Sequence, residues 1–139
     1  PSAAAYVVAQ VIGGVIGSVL AHLMFELPGL QLATHVRTGT AQWLSEAVAT
    51  FGLVGTILAC IRFRPQFTPT AVGLYITAAY WFTASTSFAN PAVTIARSLS
   101  NTFAGIAPSS APAFIIAQLA GALAAWLVFT WLFDLRKPS

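Results

Sequence analysis

The sequence predicts an all-α membrane protein with four transmembrane helices and one short re-entrant half-helix between the third and fourth. Three observations carry this. Of 139 residues, 58% are hydrophobic and 6% are charged, six Lys/Arg against three Asp/Glu, with a mean hydropathy of +0.82. A soluble domain carries about 25% charge, so an aqueous globular fold is excluded, and the apolar content equally excludes disorder. Several stretches reach the roughly 20 apolar residues that span a hydrocarbon core as a helix. No ten-residue alternation points to a barrel, so helices are left as the structure that pairs its backbone within each segment. The net charge of +3 on so sparsely charged a chain gives no reason to expect a nucleic-acid partner. A single cysteine, Cys60, excludes an internal disulfide and a cysteine-based metal site, and no cofactor is expected.

The chain opens at Pro1 without a basic leader region, which leads to the expectation that it starts inside a longer protein. The first span is expected over 3–25 and the second over 41–61, separated by Pro28-Gly29 and the polar run 34–40. Arg62, Arg64 and Pro65 separate the second span from the third, expected over 69–87. Thr77, Thr83, Ser85, Thr86 and Ser87 make its far end polar. The fourth is expected over 111–133. Arg62 and Arg64 in one loop, and Arg136 and Lys137 after the last span, fall on the same side of a four-span bundle. The excess of cations makes that side cytoplasmic, and Arg37 is then the cation of the outer loop. Trp126 and Trp131 fit an interfacial anchor at the inner end of the last helix.

Between the third and fourth spans lies FANPAVTIARSLSN, residues 88–101. Asn90 is a favoured N-cap and Pro91 a favoured first helical residue, while Gly105 and Pro108 are stop signals. A helix of roughly 11–14 residues, about 16–21 Å, fits between them. That is too short to cross, and both flanking spans require it to start and finish on the outer side. A re-entrant half-helix satisfies this, and irregular backbone at such depth is tolerated where it lines protein or a watery cavity.

The chain also repeats itself. AAAYVVAQVIGGVIG at 3–17 aligns with APAFIIAQLAGALAA at 111–125, an offset of 108, with five of fifteen positions identical, among them Gln10 with Gln118 and Gly13 with Gly121. The two copies are the first and fourth spans and so cross in opposite directions, the mark of an inverted repeat, which places a pathway between the halves. Residues 3–25 then end one repeat, and 41–133 form the second within a partial channel domain covering 1–139. The same offset places a second Asn-Pro-Ala about eighteen or nineteen residues ahead of Pro1. Gly13-x-x-x-Gly17 and Gly121-x-x-x-Ala125 are expected to allow close helix crossings.

Asn90-Pro91-Ala92 on a half-helix, the inverted repeat and the AYVVAQ and AFIIAQ helix starts together resemble the aquaporin, or major intrinsic protein, family, from its third membrane helix to its sixth. Residues 80–106, YWFTASTSFANPAVTIARSLSNTFAGI, look like the bacterial aquaglyceroporin-like proteins associated with arsenic resistance. The resemblance implies an aquaporin-like helical bundle in a bacterial inner membrane, assembled as a homotetramer. It also implies passive conduction of water and small uncharged solutes: glycerol-like polyols and the neutral hydroxides of arsenic and antimony. A half-helix ending near the midplane directs a partial positive charge of about half a unit into the pore and repels cations and protons. Asn90 caps that helix with its carboxamide oxygen while its NH2 group donates to a passing solute.

In the family an Arg commonly follows the second Asn-Pro-Ala. Here the position is Val93, so the constriction is expected to be wider and less polar. The family's spacing carries the other filter positions to Ala78, or Ala79 under a one-residue shift, and to Ser87, or Phe88 under the same shift. Arg97 is one turn beyond Val93 on the same face, roughly 6 Å further out. It either supplies a cation at the outer mouth or satisfies loop carbonyls and the helix C-terminus; the second role is preferred. Glu46 is the one acid within a span, and an intramembrane carboxylate is a functional candidate. The resemblance assigns it to the re-entrant loop, whose backbone it holds. His22, His35 and Cys60 read as structural or surface residues.

A coupled secondary transporter is the alternative from a different class. It normally needs ionisable residues at the midplane, and only Glu46 is available. An enzyme lacks support, because Asp134 lies at the tail, Glu26 lies in a loop, and no metal cluster or nucleophile–base pair can be assembled.

Overall fold

A computed structural model describes residues 2–134, and among these the regular structure is helical throughout. The elements are α1 (Ala3–Met24), α2 (Thr40–Phe63), a 3-10 turn (Pro65–Phe67), α3 (Thr68–Phe82), α4 (Pro91–Arg97) and α5 (Ala111–Asp134). Helices α1, α2 and α5, of 22, 24 and 24 residues, are long and apolar enough to cross a membrane. Arg62 and Arg64 lie exposed at the end of α2. Arg136 and Lys137, on which the orientation also drew, lie outside the described residues.

Two expected elements are shorter in the structure. Helix α3 stops at Phe82 after 15 residues, not at 87. Its end is fixed by side chains of α2: Ser45 Oγ accepts from the Ala84 amide at 2.8 Å, and Gln42 Nε2 donates to the Ala84 carbonyl at 2.9 Å. Those bonds replace the helical ladder where the sequence turns polar. The half-helix α4 has seven residues, about 10 Å at 1.5 Å per residue, not 11–14. Beyond Arg97 the backbone tightens into i→i−3 turns, with Leu99 N–H donating to the Ala96 carbonyl and Ser100 N–H to that of Arg97. Gly105 does not end a helix; it sits in the following loop, where any Cβ would clash with the Ser100 carbonyl.

The chain divides into two compact units: residues up to Gly39 with Asn90–Ile115, and Thr40–Ala89 with the chain from Ile116 onward. In the first, α1 packs on α4. The close approach is made by Gly14, where a Cβ would stand 3.1 Å from the Ala96 Cβ, and Ser18 Oγ donates to the Ala96 carbonyl at 3.4 Å. Gly13 and Gly17, the pair expected to allow a close helix crossing, have nothing within 4 Å of such a Cβ among the described residues. The loop 25–39 lies along the loop after α4: Ala33 N–H donates to the Ser98 carbonyl at 2.9 Å and Ala107 N–H to that of His35 at 2.7 Å. Thr34 donates to Asn101 Oδ1 through both N–H and hydroxyl, each at 3.0 Å.

Arg37 fastens these loops. It is buried, donating from Nε to the Gly105 carbonyl at 2.8 Å and from Nη2 to the Phe103 carbonyl at 2.9 Å. Arg97 Nη1 takes the Ala104 carbonyl between them at 3.2 Å. Three consecutive carbonyls are therefore served by two guanidinium forks, the geometry that suits Arg over Lys. His22 is buried at the end of α1 and joins the same region, its ring nitrogens 2.9 Å from the Gly29 carbonyl and 2.9 Å from Ser100 Oγ.

In the second unit α2 is the central helix. Gly52 gives room for the Tyr75 ring, whose hydroxyl donates to the Ala49 carbonyl at 2.9 Å. Gly55 gives room for Phe129, and Gly121 of α5 lies directly on the Ala47 carbonyl. Phe129 packs against Phe51 and Phe133, with ring centroids 5.7 Å apart in each pair.

Because the buried Arg37 serves the Gly105 carbonyl in the interior and the half-buried Phe103 carbonyl, Arg37→Met is expected to destabilise the full-length protein by about 1–3 kcal/mol, chiefly the cost of stranding the buried acceptor. Arg37→Lys should recover part of this. Unfolding midpoints in detergent check it, and an unchanged midpoint for Arg37→Met would contradict the latch.

Candidate functional site

The segment joining α3 to α4 is the most strained stretch among the described residues. Thr86, Ser87 and Ala89 have φ of 62°, 53° and 50°, in the left-handed region that side-chain-bearing residues rarely occupy. Each such residue costs on the order of 1–3 kcal/mol, and such residues persist where surrounding structure over-determines them, commonly at functional sites. Here the determinant is Glu46. Its side chain is fully buried on α2, with Oε2 accepting from the Phe88 N–H at 3.3 Å and Oε1 accepting from the Ala89 N–H. Gln118 of α5 donates its amide to Oε1 at 2.8 Å. A carboxylate in apolar surroundings needs such donors, and backbone amides leading into a helix are donors that no ladder claims.

Asn90 follows. Its backbone is extended, with φ −157° and ψ 125°, and its Oδ1 accepts from the Ala92 N–H at 2.8 Å. Pro91 is the first helical residue, where its missing N–H costs nothing. Thr94 donates its hydroxyl back to the Asn90 carbonyl at 3.0 Å. The cap occupies the carboxamide oxygen and leaves the amide nitrogen directed away from the helix, where it donates to Gln10 Oε1 at 3.3 Å.

Val93 and Arg97 lie on one face of α4 and line a cleft of about 830 Å³ within the first unit. Its opposite wall is the small-residue face of α1, Gly14, Gly17 and Ala21, and Ser100 and Thr102 add hydroxyls. Ser18 and His22 of α1 line it too, so both walls carry polar groups among small apolar ones. Arg97 borders it while donating to the Ala104 carbonyl.

The remaining candidates fall in the second unit. Ala78 is exposed on α3 and its neighbour Ala79 is fully buried. Ser87 and Phe88 are both buried, and the Ser87 hydroxyl has no hydrogen-bond partner among the described residues. Sequence reasoning passed over Gln10 and Gln118 except as markers of the repeat. The signal available was a carboxamide in an otherwise apolar helix, which demands a partner.

An all-helical chain with three membrane-length helices, a proline-started short helix capped by Asn90, and a buried carboxylate hydrogen-bonded to the segment leading into it is that of an integral membrane protein. No family model matches the chain, and no solved structure does. It is 62% identical, over 135 residues and 97% of its length, to Aquaglyceroporin AqpS of Rhizobium meliloti (strain 1021). The chain is thus similar to an aquaglyceroporin along nearly all of its own length, and it spans 58% of the length of that relative.

Glu46→Ala in the full-length protein strands two backbone donors and the Gln118 amide, at about 1–3 kcal/mol for each. The expected outcome is a sharp fall in folded protein recovered from the membrane, with the ranking of solutes unchanged in what does fold. Size-exclusion profiles together with vesicle swelling check this; a well-folded variant with an altered ranking would contradict it.

Proposed function

We propose that this chain is part of a passive channel for water and small uncharged solutes, glycerol-like polyols and the neutral hydroxides of arsenic and antimony among them, that excludes ions and protons. The observation that carries the reading is the likeness to an aquaglyceroporin along 97% of the chain. The cap at Asn90 supports it chemically: the carboxamide oxygen is committed to the helix, so the group presented away from it is an N–H donor, suited to solute hydroxyls. Asn90, Pro91 and Ala92 form the pore motif in this reading. Val93, Ala78, Ser87 and Arg97 form the selectivity filter, and Glu46 supports the loop.

Val93 sets the solute class. An Arg at this place would bring a bulky cation and a fork of donors; an isopropyl group leaves a wider and less polar passage. Arsenous acid is uncharged at pH 7 and presents hydroxyls as a small polyol does, so one passage serves both. Ion exclusion follows from the half-helix dipole and from the cost of stripping water from an ion with no carboxylate to replace it. Glu46 is the acid within a described span, and its two oxygens are occupied by the loop and Gln118, which disfavours proton-coupled transport. In this reading the channel works in the bacterial inner membrane as a homotetramer.

Replacing Val93 with Arg in the full-length protein is expected to cut glycerol and arsenite flux several-fold while sparing water. Stopped-flow swelling of vesicles measures all three, and unchanged glycerol uptake would defeat the filter assignment. Saturable, proton-dependent flux in the unaltered protein would instead favour the transporter.

A further inference from the structure

We propose, resting on the channel reading, that Gln10 is a positioning residue for Asn90: it takes one of the two amide hydrogens and so fixes the direction of the other, the one left to a solute. The orientation of the Asn90 carboxamide is decided by chemistry. The Ala92 N–H, 2.8 Å from the side chain, requires an acceptor, so the atom facing it is Oδ1. The nitrogen is thereby turned toward α1, where Gln10 Oε1 lies 3.3 Å away.

Gln10 is well suited to this and to little else. Between Ala3 and Gly17 only Tyr6 and Gln10 carry polar side-chain atoms, and a carboxamide in an apolar helix is held by a hydrogen bond to another element. Its counterpart in the repeat, Gln118, also spends its amide on the segment leading into α4, donating to the Glu46 carboxylate that holds Ala89. The two glutamines thus act with opposite polarity, one as donor to a carboxylate and one as acceptor from an amide. An NH2 group has two hydrogens. With one held by Gln10, Asn90 offers a solute a single N–H whose direction is set on both sides, by the cap and by the glutamine.

A directed donor matters more to glycerol, which gives up several water contacts on entry, than to water. Removing the acceptor is therefore expected to lower the ratio of glycerol to water permeability by about threefold, the effect of one neutral hydrogen bond. The test uses the full-length protein in liposomes, unaltered and as Gln10→Leu and Gln10→Glu, with water and glycerol fluxes measured by stopped flow. The side-chain amide of Asn90 is followed in the same samples by NMR after selective ¹⁵N-asparagine labelling. The expected result is a lowered ratio and a shifted Asn90 amide signal in Gln10→Leu, with both restored in Gln10→Glu, which keeps an acceptor oxygen. Should Gln10→Leu fail to reach the membrane, Gln10→Met takes its place with the same two readouts. An unmoved Asn90 signal and an unchanged ratio, with the unaltered protein conducting normally, would overturn the assignment. Absence of flux in the unaltered protein would count against the channel reading, and the Asn90 signal then decides the contact with Gln10 by itself.

Discussion

In hydrocarbon every main-chain N–H and C=O must find its partner within the protein, and this chain's irregular stretches are shaped by that demand. Its long helices meet it with their own ladders. The segments 83–90 and 98–107 cannot, and both are served by side chains reaching from elsewhere in the sequence. Glu46 supplies two acceptor oxygens to the amides of Phe88 and Ala89. Ser45 and Gln42, on the same helix, take the amide and carbonyl of Ala84. On the other stretch the shortage is of donors, and Arg37 and Arg97 provide them to Phe103, Ala104 and Gly105. An acid serves exposed amides and bases serve exposed carbonyls, which accounts for charged side chains being retained inside so apolar a chain.

The strain in residues 86–89 has the same origin. Three left-handed residues within four positions, none of them glycine, cost several kcal/mol together, and a flexible loop would relax them. A charge-assisted hydrogen bond is roughly twice as strong as a neutral one, and Glu46 makes such bonds to two successive amides of this stretch. The compensation is local, and it fixes the backbone that runs directly into the Asn90 cap.

The membrane class, the three long helices and the start of α4 were legible because each rests on local chemistry: apolar length, or an Asn–Pro pair that fits only a helix start. The ends of α3 and α4 were not. Helix α3 stops where Ser45 and Gln42 take over the Ala84 backbone, and nothing near Phe82 announces them; α4 gives way to i→i−3 turns that no residue near Arg97 signals. Arg37 was read as a loop cation because its partners are carbonyls 66 and 68 residues away, and a carbonyl leaves no trace in a sequence. A G-x-x-x-G pattern marks a smooth face without naming its partner; the approach of α1 to α4 is set by where Ala96 lies, and that selects Gly14. At the candidate site, residue type alone revealed that Glu46 and Asn90 need partners. Which partners they have is a matter of tertiary structure.

On the channel reading, the cleft beside α4 borders the passage, and it keeps its polarity without a charge at position 93. Val93 presents none of the five donors that a guanidinium would bring to that level. The next side chain on the same face, Arg97, cannot simply substitute, because part of its fork is committed to the Ala104 carbonyl and because it lies a full turn further along the helix. What borders the cleft in addition are hydroxyls, Ser18, Ser100 and Thr102, groups that both donate and accept. A solute carrying hydroxyls exchanges water for such groups at little cost, whereas an anion would gain little from them and a cation would meet Arg97. On the channel reading, the substitution at 93 therefore favours neutral polyhydroxy solutes through the kind of polarity that remains, as much as through the space that the smaller side chain leaves.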